Sequence, residues 1–248
     1  MTDSLGFRLK LGIIAPSTNT AVQPEMEAMR PYGVTNHHGR LYIPDDPIED
    51  DAAFNRVMDN IRATMFEAAR IVMTCKPHRL VLGMSSETFW DGIEGSKKLL
   101  VRMHEVSGGV PVSTGAEAVR AALAKYGVRK IAVITPYMTP GDEQVRRFFT
   151  ECGFELVVLK GLKGASPVQY AHVSEKQLRD TIIEVNDPSV EAIVQVGTNL
   201  AMARLAGVAE FWLDKPVLAI NTAIYWHALR ESGIDDRVPG FGSLLTDH

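Results

Sequence analysis

Cysteine is nearly missing from this chain of 248 residues, which holds only Cys75 and Cys152. Cys75 closes a helical stretch, NIRATMFEAARIVMTC, and Cys152 precedes Gly153 at a helix end. Neither neighbours a histidine cluster or a second thiol. A disulfide framework, a zinc site and a redox pair are therefore excluded, and both thiols read as structural. Long apolar runs are lacking too, since nothing approaches the roughly 20 residues of a membrane span. The opening residues, MTDSLGFRLK, have neither the basic start nor the apolar stretch of a secretory signal, so a cytoplasmic location is expected. Charge of one sign is scarce: the net charge is −4, and Lys and Arg are scattered. That argues against a nucleic-acid partner. There is no GxGxxG, GxxxxGK or HExxH, so no nucleotide, metal or other cofactor is expected.

What is present is an alternation of short apolar runs with longer amphipathic ones. Strands are expected at Leu9–Ala15, Val34–Ile43, Arg79–Met84, Val110–Val112, Lys130–Thr135, Phe154–Lys160, Ala192–Gly197 and Pro216–Ile220. Helical spacing is clearest over Ala52–Cys75, Ala116–Tyr126, Asp142–Cys152, Glu175–Asn186 and Ala223–Glu231. Such alternation predicts an α/β fold of parallel sheets covered on both faces.

The chain also repeats itself. KLGIIAPSTNT resembles KIAVITPYMTP, RLVLGMSSETF resembles AIVQVGTNLAM, and VPVSTGAEAVRAALAKYG resembles KPVLAINTAIYWHALRESG, in the same order. The repeat predicts two pseudo-symmetric α/β lobes, residues 1–114 and 115–223, with the segment 224–248 crossing back to the first. Ligands of open α/β sheets bind at the carboxyl ends of the strands, so the active site is expected between the lobes.

Four loops should meet there: Pro16–Thr20, Met84–Thr88, Thr135–Tyr137 and Gly197–Leu200. Each alone reads as a helix cap. Together, Ser17, Asn19, Ser85, Ser86, Thr198 and Asn199 would form a donor-rich pocket without a cation, suited to a carboxylate or an enediolate. Tyr137 would donate to a developing oxyanion. Glu87, in the first turn of a helix, reads either as a dipole partner or as an acid–base group. The polar loop SPVQYAHVSEK, which carries His172, is placed to close over the cleft.

IIAPSTNT, LGMSSETFWDG, STGAEAVRAALAKYGVRKIAVITPY, VQVGTNL and KPVLAINTAIYWHALRESG together resemble the Asp/Glu racemase superfamily, in the branch of maleate cis-trans isomerases and arylmalonate decarboxylases. The resemblance runs along nearly the whole chain. It implies two lobes with the active site between them and no cofactor. It implies that Asn19 contacts a substrate carboxylate and that Ser85, Ser86 and Tyr137 donate to the carboxylate or enediolate. Thr198 and Asn199 would hold the other end. The family's catalytic cysteines fall at Met84 and Gly197, so both thiols are replaced.

Met and Gly can neither attack an alkene nor exchange a proton. The expectation is thus a lyase or isomerase, decarboxylase-like, acting on a small mono- or dicarboxylate, with Tyr137, Ser85 and Glu87 catalytic. Ser17, Asn19, Met84, Ser85, Ser86, Tyr137, Gly197, Thr198 and Asn199 would bind substrate. Two alternatives stand beside it: a non-catalytic carboxylate-binding protein, and an amide or imide hydrolase using water in space opened at Gly197. Assembly as a homo-oligomer is expected from the resemblance, with the helix FWDGIEGSKKLLVRM as one possible interface.

Overall fold

A computed structural model describes residues 3–248. Among the described residues, eight parallel strands form two sheets of four. The first has β1 (Leu9–Pro16), β2 (Val34–Leu41), β3 (Arg79–Leu82) and β4 (Val112–Ser113) in the order β2-β1-β3-β4. The second has β5 (Lys130–Thr135), β6 (Glu155–Gly161), β7 (Ala192–Gln195) and β8 (Val217–Ala219) in the order β6-β5-β7-β8. The second sheet copies the first strand for strand, so the sequence repeat is a structural repeat. In each sheet the two inner strands are buried along nearly their whole length, as a parallel sheet flanked by helices requires.

Helices fill the connections: α1 (Val22–Ala28), α2 (Asp51–Met73), α3 (Ser86–Phe89), α4 (Gly92–Val106), α5 (Gly115–Tyr126), α6 (Thr139–Glu151), α7 (Glu175–Val185), α8 (Ala203–Leu213), α9 (Ile220–Arg230) and α10 (Ser243–Thr246). Two expectations about them need correction. The stretch FWDGIEGSKKLLVRM is not one helix but breaks at Trp90-Asp91, between α3 and α4. And α8 starts at Ala203, three residues past Leu200, so the fourth loop is not a direct helix start. Among the described residues, no helix is long and apolar enough to cross a membrane.

Two features set the position of the cavity. In α2, Asp50 caps the start by accepting from the Ala53 amide at 2.7 Å, and Phe54, Val57, Met58 and Ile61 recur at helical spacing on one buried face. The other is the α5–α9 pair, equivalent helices that pack on each other while α9 also covers β3 and β4. Arg79 on β3 fastens the end of α9, donating to Ser232 Oγ at 3.0 Å and to the Glu231 carbonyl at 2.9 Å. His227 of α9 is buried, shares a 3.0 Å bond with Ser113, and has its pKa lowered chiefly by burial. It is a packing residue, remote from the cleft.

Candidate functional site

In the first sheet, β1 and β3 are neighbours, so Pro16–Asn19 emerges beside Gly83–Ser86. In the second, β5 and β7 do the same for Thr135–Tyr137 and Val196–Asn199. The four loops converge on one cavity of about 50 Å³, whose walls include Asn19, Met84, Ser85, Ser86, Tyr137, Gly197, Thr198 and Asn199. Ile43, Phe54, Val57, Met58 and Ile61 make an apolar part of the wall, and Pro167 and Tyr170 from the loop before α7 also line it. Among the described residues, no Lys, Arg or His lines it. A larger depression of about 530 Å³ lies between α8 and the C-terminal segment, but it is open to solvent and touches none of the four loops.

Hydrogen bonds tie the two lobes together across the cavity. Ser85 Oγ and the Tyr137 hydroxyl share a bond of 2.8 Å, and Ser85 Oγ also accepts from the Gly197 amide at 3.1 Å. Asn19 Nδ2 donates to Thr198 Oγ1 at 3.2 Å, and that hydroxyl donates to the Gly83 carbonyl at 3.1 Å. Asn199 Oδ1 accepts from the Thr20 and Ala21 amides, and its Nδ2 donates to the Pro167 carbonyl at 2.9 Å. The two asparagines are therefore occupied structurally. Asn19 holds the start of α1 with Oδ1, and Asn199 spends its whole amide group on joining loops.

Tyr137 is buried at 4% exposure, and burial raises its pKa well above the ordinary 10, with the Ser85 bond opposing and the charge of Asp142 adding. It remains a neutral donor at every physiological pH. Behind it, the Tyr137 amide donates to Thr135 Oγ1 at 3.1 Å, and that hydroxyl donates to the Asp142 carboxylate. Burial pushes Asp142 up to about 6, against the Thr135 bond.

A stability effect arises from Asp142. Its pKa is raised on folding, so its favourable contribution is complete below the unfolded value and disappears as pH climbs through about 6. Asp142→Asn should gain on the wild type by on the order of 1–2 kcal/mol between pH 4 and pH 8, after allowing for solvent screening. Urea unfolding at the two pH values measures this, and an unchanged difference would refute it.

Two expected site residues stand elsewhere. Ser17 does not line the cavity, because its hydroxyl is engaged with the Ile43 backbone, accepting at 3.1 Å and donating at 3.2 Å. Glu87 faces a separate depression with Trp90 and pairs with Arg62 at 2.9 Å, while burial raises its pKa. The first turn of α3 points that side chain outward. The segment 166–174 does line the cavity, but through Pro167 and Tyr170 rather than His172, and Glu175 and Lys176 already belong to α7.

Gly197 brings a further correction. It has φ of +106°, and a Cβ built there falls 2.6 Å from Pro136 Cγ and closer still to Cδ. The missing side chain therefore opens no room for a water or a bulkier ligand. It is what lets the loop pass Pro136. Neither thiol reaches the cavity. Cys75 Sγ donates to the Val72 carbonyl, and Cys152 lies beside Phe148 in another depression, both with pKa raised by burial. Among the described residues, no three His, Cys, Asp or Glu side chains form a metal site.

Sequence reasoning missed four residues. Glu25 accepts from the Ala203 amide at 2.8 Å and from Asn221 Nδ2 at 2.6 Å, and Asn221 also donates to the Thr198 carbonyl at 2.9 Å. Glu25 and Asn221 thereby set the Thr198 loop, yet in sequence they look like ordinary helix residues. Asp142 and Tyr170 complete the set. Only Tyr170, an aromatic within a polar loop, carried a usable signal.

A family model described as arylmalonate decarboxylase matches residues 11–245. A maleate isomerase from Pseudomonas putida is 26% identical over 248 residues, covering 96% of this chain and 97% of that protein. The arylmalonate decarboxylase of Bordetella bronchiseptica is 26% identical over 203 residues, 79% of this chain and 80% of that one. Among solved structures, a Nocardia farcinica maleate cis-trans isomerase variant with a covalently bound succinylcysteine intermediate superimposes with a TM-score of 0.88. It is 21% identical and covers 97% of this chain and 99% of its own.

Proposed function

We propose, from the premise that this chain belongs to the arylmalonate decarboxylase family and is an isomerase- or lyase-type enzyme, that it decarboxylates a small malonate-type dicarboxylate. The observation that carries this reading is the Ser85–Tyr137 hydroxyl pair, joined to the Gly197 amide, facing a cavity that no cationic side chain lines.

Loss of CO2 breaks one carbon–carbon bond and leaves its electron pair on the α-carbon, delocalised into the remaining carboxylate as an enediolate. Neutral donors aimed at that oxygen lower the barrier, because they need not reorganise as charge develops. Ser86 and the Ser85–Tyr137 pair supply such donors, while the Thr198 hydroxyl is spent on the Gly83 carbonyl and Asn19 retains one N–H beyond its bond to Thr198. Asn199 acts indirectly by holding the roof loop through Pro167. The Tyr137 phenol then gives its proton to the α-carbon, and the phenolate takes one back from water, whose hydroxide combines with the released CO2 as bicarbonate. A phenol with a raised pKa is still far more acidic than such a carbon acid. Glu87 and Ser17 take no part.

The thioether of Met84 replaces one thiol, and nothing nucleophilic stands at Gly197. A covalent thiol adduct with an alkene is therefore not the route. The cavity also suits a compact acid better than a long one.

Incubation with methylmalonate, phenylmalonate and maleate in deuterated water, followed by proton NMR, tests this reading. The expected result is a monocarboxylic acid carrying deuterium at its α-carbon, with maleate unchanged. Conversion of maleate to fumarate with both malonates untouched would overturn it.

A further inference from the structure

We infer that Tyr170 is a specificity-determining donor, one that selects a substrate bearing an oxygen acceptor in addition to the carboxylate held by the Ser85–Tyr137 pair. This inference rests on the small-carboxylate reading of the cavity given above. Tyr170 lines the cavity and is 9% exposed, yet its hydroxyl oxygen is buried without a hydrogen-bond partner among the described residues. Buried hydroxyls in folded proteins are nearly always bonded, so an orphan in a cavity wall is unusual. Tyr137 does not satisfy it, because its own hydroxyl is bonded to Ser85 and the two rings meet edge-on with centroids 6.4 Å apart.

The ring is firmly held in place. It lies against Gly164, where an added Cβ would fall 2.5 Å from Tyr170 Cε1 and closer still to Cδ1. The Gly164 amide in turn donates to the Pro136 carbonyl at 2.9 Å, one residue before Tyr137. Two bonds from the other lobe fix the loop as a roof: Ile48 N donates to the Ala165 carbonyl at 2.7 Å, and Val168 N to Asp45 Oδ1 at 2.9 Å. The phenol is thus a preorganised donor in a cavity to which α2 contributes only apolar side chains.

A ligand that accepts from Tyr170 satisfies the phenol, whereas an isostere with CH2 in place of oxygen leaves both the phenol and the wall mismatched. Binding sites with a committed polar group reject ligands lacking its partner. Wild-type protein should bind methoxymalonate over ethylmalonate, and malate over methylsuccinate, by roughly tenfold to hundredfold in at least one pair.

Calorimetric titration of the four acids against wild type, Tyr170→Phe and Gly164→Ala tests the inference, with melting curves to confirm folding. The preference should vanish in Tyr170→Phe, while the ethylmalonate or methylsuccinate affinity stays within about threefold. Gly164→Ala, which drives a methyl into the ring's place, should lose the preference as well. Binding of the acids with no preference in wild type, or with the same preference in Tyr170→Phe, overturns the role of Tyr170 and leaves the carboxylate site standing. Binding of none of the four overturns the carboxylate reading, and this inference with it.

Discussion

Replacing Tyr137 by Phe is expected to lower kcat of the proposed malonate decarboxylation by about 10²–10³-fold, with a smaller change in KM. The phenol is held by Ser85 at 2.8 Å, and the Tyr137 backbone N–H donates to Thr135 Oγ1, so the group is preorganised before substrate arrives. Its contribution therefore belongs mainly to the charge that appears as CO2 leaves, and an interaction made only then shows in kcat. Loss of the hydroxyl also leaves Ser85 bonded only to the Gly197 amide, which costs about 1 kcal/mol of stability. Steady-state kinetics beside a melting curve separate the two effects. Glu87→Gln is the control: paired with Arg62 outside the cavity, Glu87 should change kcat by no more than about threefold. A large loss in the Glu87 variant with a small one in the Tyr137 variant would refute the assignment.

The second large effect concerns Gly197. Gly197→Ala should destabilise the fold by about 3 kcal/mol or more, because a side chain there combines a left-handed backbone with a collision against the Pro136 ring. Pro136 is rigid and directly precedes Tyr137, so relief of the clash must displace the loop that carries Tyr137. Urea unfolding measures the loss, and a variant as stable as wild type would disprove it. Gly197→Cys should suffer likewise, making it a poor way to restore a thiol. Met84→Cys is the better one: Met84 already lines the cavity, carries no left-handed φ, and its replacement shortens a buried side chain without a clash. The resulting small gap should cost about 1–2 kcal/mol.

Much of this molecule was legible in the order of its residues. Periodicity distinguishes apolar runs such as Lys130–Thr135 from the amphipathic Asp51–Met73, because strand and helix repeat at different intervals. The internal repeat foreshadowed two sheets of identical strand order, and motif spacing brought Asn19, Ser85, Tyr137 and Thr198 to one cavity. These are local properties, set by the residues directly after each strand. The direction of a side chain and its long-range partners are not local. Ser17 and Glu87 occupy the same loops as true lining residues but turn toward Ile43 and Arg62. Glu25 and Asn221 are 196 positions apart yet share a hydrogen bond. Whether Gly197 leaves a hole or avoids a clash depended on Pro136, from another strand of its sheet. Sequence by itself determines which groups reach the ends of the strands, since backbone pairing places them there. Packing across the interface of the two lobes decides which of them face the cavity and which, like the Tyr170 hydroxyl, are left without a partner.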